Sequence, residues 1–228
     1  MFILLDGVSN KTLGISLVSH PEIPSTEQIV EYIIVEGRHG SLTKKESYKN
    51  LTIPMEFSFM SNQNTVKQML REVKRWILNK EKLVFSDDPN FYYEVKNIVV
   101  KSTVNDIDIY GRVSIDFVCS PFQYETVNPI TLAAAASLVN PGTIDSEPLI
   151  KVFGVGDVTV TVNGQIFRLN GMADYISVDC ELREAHRNKT SRNSNMVGEF
   201  PVFIPGQNTI SFSSNVTKLV IEPRWRYI

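Results

Sequence analysis

Hydrophobic and polar residues alternate along much of the chain, and this two-residue spacing is typical of strands that bury one face. The clearest example is DVTVTVNGQIFRLNG, residues 157–171. Its apolar positions on this spacing are Val158, Val160, Val162, Ile166 and Leu169. Asn163-Gly164 interrupts the spacing, and such a pair favours a type I′ turn because both of its central residues need positive φ. The pattern therefore predicts a β-hairpin.

The first half of the chain combines alternating runs with one helical pattern. Two long runs, residues 91–104 and 107–122, are predicted to pair as an antiparallel hairpin across residues 105–108. In residues 64–80 the apolar residues recur every three or four positions, which predicts an amphipathic helix that covers one face of a sheet. This apolar stripe consists of Val66, Met69, Leu70, Val73, Trp76 and Ile77. We expect Asn62 or Asn64 to cap the start of the helix.

The organisation changes in the middle of the chain, where Asn-Pro and Pro-Gly pairs cluster. We therefore predict two domains: residues 1–140, ending in a connector at about 121–146, and residues 147–228. Within the connector, ITLAAAASLV (130–139) fits either a short helix or a segment lying on a neighbour's surface. After residue 147, short strands separated by turns predict an antiparallel β-sandwich. The predicted fold class is mainly β, with one amphipathic helix in the N-terminal domain.

Composition narrows the function classes. Of the 228 residues, 43% are hydrophobic and 21% are charged, which is typical of a packed globular protein. The formal net charge is −2 and the basic residues are dispersed, which argues against a protein that binds duplex nucleic acid. Cys119 and Cys180 are far apart and are predicted to be buried free thiols. The opening MFILLDGVSN is predicted to be a strand and not a targeting segment, and no membrane insertion is expected.

Residues that could carry chemistry are sparse. His20, His39 and His186 each stand alone, which argues against a histidine metal site. Asp179 and Glu181 share one face of a strand, so they could form a glycosidase pair or a calcium site, or simply a solvated face. We predict a protein that is not an enzyme and uses no metal and no cofactor.

Six segments, in order along almost the whole chain, resemble the distal tail proteins (Dit) of long-tailed phages that infect Gram-positive bacteria. They are VEGRHGSL (35–42), DFVCSPFQY (116–124), VFGVGDVTVTVNG (152–164), YISVDCE (175–181), GEFPVFIPGQNTISF (198–212) and IEPRWR (221–226). The resemblance implies a baseplate hub whose N-terminal domain closes into a hexameric ring, single or stacked in pairs, at the distal end of the tail tube. It also implies that the C-terminal sandwich is galectin-like.

The resemblance further implies the partners and the location. The ring would contact the tail tube protein above and a tail-associated fibre or lysin protein below. The sandwich would carry receptor-binding or other baseplate proteins, and DNA would pass through the centre without specific binding. The protein would be made in the host cytoplasm and would reside in the virion.

Two short segments are the candidate sites. Gly37, Arg38 and Gly40 are predicted to form a loop that needs positive φ. This loop either lies near a ring or partner interface or is a plain surface turn. Arg224, Trp225 and Arg226 are predicted to anchor the C-terminal strand through charge-assisted bonds and through contacts of the two arginines with the indole. The alternative function is a cell-wall glycan-binding module, with Trp225 or Tyr175 as stacking residues. A third is a glycosidase that uses Asp179 and Glu181.

Overall fold

The computed structural model describes residues 1–60, 65–107 and 110–228. The chain divides into two compact units: unit 1 comprises residues 1–124 with Ile228, and unit 2 comprises residues 125–227. Among the described residues, no helix is both long and apolar enough to cross a membrane.

Unit 1 is a β-sheet with a helix. Its described strands are β1 Ile3–Leu5, β2 Val8–Ser9, β3 Ile15–Leu17, β4 Gln28–Ile34, β5 Ser41–Tyr48, β6 Leu51–Met60, β7 Lys82–Phe85, β8 Phe91–Ile107 and β9 Tyr110–Glu125, and the helix is α1 Val66–Ile77. The sheet has the strand order β2-β1-β7-β8-β9-β6-β3, while β4 and β5 form a separate two-stranded sheet. β8 and β9 are neighbours, as predicted, and residues 108–109 lie outside the described residues.

The core of unit 1 follows the two sequence periodicities. In β6 every second side chain from Leu51 to Phe59 is buried, and β9 repeats this pattern from Val113 to Cys119. The predicted helical stripe is confirmed, and within it Trp76 packs edge-to-face on Phe57 at a centroid distance of 6.0 Å. Thr65 caps α1, whereas the predicted caps Asn62 and Asn64 lie outside the described residues.

Unit 2 lies wholly within the described residues. Its strands are β10 Ile130–Leu132, β11 Ala136–Asn140, β12 Leu149–Gly154, β13 Gly156–Val162, β14 Gln165–Met172, β15 Tyr175–Asp179, β16 Glu184–Arg187, β17 Thr190–Ser191, β18 Met196–Gly198, β19 Gly206–Phe212, β20 Val216–Glu222 and β21 Arg226–Tyr227. The strands β10 to β20 form a six-stranded sheet, β10-β20-β12-β15-β16-β17, and a five-stranded sheet, β11-β19-β13-β14-β18. Side chains of both sheets share one apolar core, so unit 2 is a β-sandwich.

The structure corrects two details and confirms three others. Residues 130–139 form no helix, because β10 and β11 hydrogen-bond into the two sheets of unit 2. Ile166 is 50% exposed, since it pairs with the outward Thr161, and Phe167 takes the core position at 1% exposure. Asn163 and Gly164 have φ of 52° and 81°, as the predicted turn requires. The mainly β fold class is confirmed, and both cysteines are buried free thiols.

Candidate functional site

An exposed β-hairpin projects from unit 1, and we call residues 28–48 the hairpin arm. Its two strands, β4 and β5, are antiparallel, with Ile34 opposite Ser41 and Ile33 opposite Leu42. Among the described residues these strands pair only with each other, so each has one open edge. An open strand edge presents a row of unpaired backbone donors and acceptors that can template pairing with another chain.

The base of the hairpin arm is fixed to unit 1 by two contacts. The hydroxyl of Thr26, just before β4, donates to the carbonyl oxygen of Pro121 at 2.6 Å. Tyr48, the last residue of β5, packs edge-to-face on Phe122 with ring centroids 5.3 Å apart. The base is therefore held by packing, whereas the distal half of the arm extends into solvent.

Large apolar side chains lie exposed on both faces of the distal half. On one face Ile34 is 86% exposed and Tyr32 is 68% exposed. On the other face Ile33 and Leu42 form a cross-strand pair and are each 41% exposed. A two-stranded hairpin is marginally stable in water by itself. The arrangement therefore favours a surface that is covered by another protein.

The tip of the hairpin arm contains the predicted loop. Gly37 and Gly40 both have a φ of 78°, so the loop has the positive φ values expected from the sequence. A Cβ atom at either glycine would meet no heavy atom within 4 Å. The glycines are therefore needed for backbone conformation and not for close packing. Arg38, between them, is exposed, and the interface role of this loop stays a prediction.

Charged residues occupy the middle of the hairpin arm. The ammonium of Lys44 lies 3.4 Å from Glu31 and 2.9 Å from Glu46, and all three side chains are at least 40% exposed. Exposed pairs of this kind contribute little stability. They keep the middle of the arm polar, so the apolar exposure is concentrated towards the tip.

The second predicted segment lies in unit 2, where Arg224 binds two carboxylates. Its Nη1 and Nη2 atoms donate to Oδ1 and Oδ2 of Asp179 at 2.9 and 3.0 Å, and Nη1 also donates to Glu181 at 3.1 Å. Burial by itself raises the pKa of Asp179, but the hydrogen bonds from Arg224 and from the Leu182 backbone outweigh it and lower that pKa. Both carboxylates of the predicted Asp179–Glu181 pair thus bind one guanidinium, and the lowered pKa of Asp179 does not suit a general acid.

The other two residues of this segment, Trp225 and Arg226, point elsewhere. Arg226 donates to Glu147. Trp225 is 4% exposed and packs on Phe203 at a centroid distance of 5.7 Å. Trp225 therefore belongs to the core of the sandwich and presents no stacking face to solvent, in contrast to the expectation of the glycan-binding alternative.

Comparison with known proteins gives the chain a context. Residues 11–119, which include the hairpin arm, match the family model of the phage tail protein RIFT-related domain. The crystal structure of the Dit protein of phage SPP1 superimposes with a TM-score of 0.66 at 13% identity, over 97% of this chain and 98% of that chain. The chain has a Dit-type fold. The resemblance seen in the sequence is thereby confirmed.

Weaker similarities complete the comparison. Two structures of the phage p2 baseplate in its activated conformation, with Ca and with Sr, give TM-scores of 0.49 and 0.46, both at 9% identity. They cover 91% and 97% of this chain and 89% and 97% of theirs. No curated protein matches the sequence. The SPP1 protein is described as a paradigm of hub adsorption apparatus in phages that infect Gram-positive bacteria.

Sequence reasoning missed the exposed residues of the hairpin arm, notably Tyr32, Ile34 and Leu42. The run QIVEYIIVEG indicates a strand, but its apolar residues suggest burial. A signal was present in the partner strand, because SLTKKESY, residues 41–48, is mostly polar. An apolar strand paired with a polar one leaves its side chains without an apolar layer to cover them.

Proposed function

We propose that this chain is a structural protein of a phage tail baseplate, a hub that forms a hexameric ring at the distal end of the tail tube. The Dit-type fold over 97% of the chain supports this proposal, as does the phage tail domain of residues 11–119. The observation that carries the assembly role is the hairpin arm, whose apolar distal half is exposed in the single chain.

In this proposal the hairpin arm of one copy packs on a different surface of the next copy. A contact between two unlike surfaces, repeated by rotation, closes into a ring. Ile34 is 86% exposed, so nearly its whole side chain is available for burial. Full burial of an isoleucine contributes about 1.5–3 kcal/mol, and the open edges of β4 and β5 add backbone pairing.

The remaining partners follow from the same role. The ring contacts the tail tube protein on one side and a tail-associated fibre or lysin protein on the other, and unit 2 carries receptor-binding or other baseplate proteins. DNA passes through the centre, and a chain with a net charge of −2 offers it little nonspecific attraction. The protein is made in the host cytoplasm and resides in the virion tail.

The test compares oligomeric states by mass photometry and negative-stain microscopy. We expect the unmodified protein to give rings of six times the 25.8 kDa chain mass, or of twelve times if two rings stack. The Ile34→Glu variant should dissociate to single chains, because assembly would bury a carboxylate. The matched control is Ile166→Glu, which changes an isoleucine that is 50% exposed on the outward face of unit 2. This control should still form rings.

The outcomes separate the two parts of the proposal. A protein that remains a single chain at high concentration and shows no rings would overturn the ring. Intact rings from Ile34→Glu would leave the ring standing and refute the contact through the hairpin arm. Circular dichroism of both variants checks that each substitution has left the fold intact.

A further inference from the structure

The outward face of the six-stranded sheet in unit 2 carries two aromatic rings among cations. Phe153 on β12 lies in register with Tyr175 on β15 and with Lys218 on β20. The two ring centroids are 5.6 Å apart, and the planes meet at 37°. Val152 and Ile176, adjacent to them in sequence, point into the core. Alternation therefore directs Phe153 and Tyr175 away from the core.

Three cationic side chains lie over these rings. The ammonium of Lys151 is 4.0 Å from the Tyr175 centroid, and that of Lys218 is 4.8 Å from the Phe153 centroid. The guanidinium carbon of Arg187 is 5.3 Å from the Tyr175 centroid. We call these five residues the cation–aromatic patch. At partly exposed sites each such contact contributes about 0.5–1 kcal/mol, so a ligand with negative charge can recruit these cations.

The patch carries an excess of positive charge. Arg187 forms an ion pair with Asp174 at 3.2 Å. Within the described part of the chain, Lys151 and Lys218 contact aromatic rings and form no ion pair with a carboxylate. Two ammonium groups therefore remain uncompensated on a chain whose net charge is −2. Such a local excess attracts an anionic ligand.

A small cavity adjoins the patch and adds a second arginine. It has a volume of about 60 Å³, and Tyr175, Arg187, Arg192 and Asn195 are among its lining residues. Arg187, Arg192 and Asn195 carry N–H donors of the kind that a phosphate group accepts from. Arg187 also pairs with Asp174, and the amide of Asn195 also donates to the Asn170 carbonyl oxygen at 2.8 Å. The cavity therefore places a further basic residue, Arg192, near the Tyr175 ring.

We propose that the cation–aromatic patch binds a polysaccharide that carries phosphate groups. The apolar C–H faces of sugar rings stack on Phe153 and Tyr175, while Lys151, Lys218 and Arg187 pair with the phosphates. His186, which lies in register with Ser177 beside this row, supplies a polar group for sugar hydroxyls. The site is confined to unit 2, so it does not depend on the hairpin arm or on ring closure.

Charge on the same sheet favours a sparsely charged glycan over a nucleic acid. Farther along the strands, Asp179 and Glu222 both lie in register with Leu149, and Glu184 lies in register with Asp179. Asp179 is buried and paired with Arg224, whereas the carboxyl groups of Glu184 and Glu222 repel a polyanion that continues along the strands. Tight nonspecific binding of nucleic acid needs a long basic groove. A phosphate-bearing glycan that crosses the strands meets the unpaired ammonium groups of Lys151 and Lys218.

The test measures, by biolayer interferometry, how tightly the protein binds three probes. The probes are phosphomannan, the same mannan after enzymatic dephosphorylation, and a short thymidine oligonucleotide. We expect saturable binding of phosphomannan that weakens with added salt. Dephosphorylation should weaken binding at least about tenfold, and so should the double variant Lys151→Gln, Lys218→Gln. The control Arg168→Gln removes an exposed cation from the other sheet and should bind like the unmodified protein.

A further variant tests the aromatic part. Phe153→Leu keeps an apolar side chain but removes the ring, and we expect it to weaken binding while the circular dichroism spectrum is unchanged. The proposal is overturned if phosphomannan does not bind saturably, or if the double lysine variant binds equally well. Equal binding of dephosphorylated mannan would indicate a neutral sugar site instead. Preferential binding of the oligonucleotide would indicate a nucleic-acid site, and either result would also overturn it.

Discussion

Replacing Arg224 with methionine should destabilise unit 2 by about 3 kcal/mol, which is the low end of the cost of breaking a buried ion pair. Arg224 contacts both oxygens of Asp179, and the two side chains are 22% and 6% exposed. The loss leaves a buried carboxylate with its remaining bonds, from the backbone N–H groups of Glu181 and Leu182 at 3.1 Å each. Those two bonds, and the partial exposure of Arg224, place the cost at the low end of that range.

Urea unfolding monitored by the fluorescence of Trp225 measures this effect. The sequence contains two tryptophans, so a Trp76→Phe background makes the signal specific for unit 2. Arg224 has a φ of 52°, and methionine keeps the same backbone cost because neither residue is β-branched. The control Arg224→Lys retains the charge but loses the bidentate contact with Asp179. We expect it to lower the free energy of unfolding by less than methionine does. A surface ion pair contributes at most about 1 kcal/mol. If Arg224→Met lowers the free energy of unfolding by less than that, the reasoning is refuted.

The same ion pair predicts a pH dependence. The pKa of Asp179 in the folded chain lies below its ordinary value of 3.8. A lowered pKa stabilises the folded state above the unfolded pKa, and this stabilisation is lost as the pH falls towards the folded pKa. The difference in free energy of unfolding between the unmodified protein and Asp179→Asn should therefore shrink as the pH is lowered below about 4. A constant difference across that range would contradict the assignment.

Two further outcomes follow from the structure. Burial raises the pKa of both Cys119 and Cys180 to about 12. Neither thiol should therefore react with a disulfide reagent at about pH 8 until urea unfolds the chain. Rapid reaction of the folded protein would contradict this prediction. Asn163→Ala should lower the free energy of unfolding in urea by about 1–3 kcal/mol. Asn163 has a φ of 52°, its side-chain amide donates to Asn208 at 2.7 Å, and its side-chain oxygen accepts from the backbone N–H of Thr209 at 2.9 Å. Asn163→Gly, which restores the backbone freedom, should lose less; an equal loss would assign the whole effect to the two hydrogen bonds.

Local patterns determined most of the secondary structure. The alternation of β6, the apolar stripe of α1 and the Asn163-Gly164 turn were all predictable, because each depends on residues close together in the sequence. The segment 130–139 was ambiguous for the same reason. Its small residues carry a weak local preference, and hydrogen bonds to distant β19 and β20 decide that it is extended.

The Dit-type fold could be expected from motifs that the sequence displays, whereas the candidate interaction surfaces depend on pairing across strands. The apolar run of β4 indicates a strand by itself, but its exposure follows from a polar partner strand and from the absence of a covering layer in the described residues. Likewise, Phe153, Tyr175 and Lys218 are far apart in sequence and become neighbours through the register of β12, β15 and β20. Residue spacing sets which face of a strand is apolar, but long-range packing sets what that face meets. Only the tertiary structure could decide the latter.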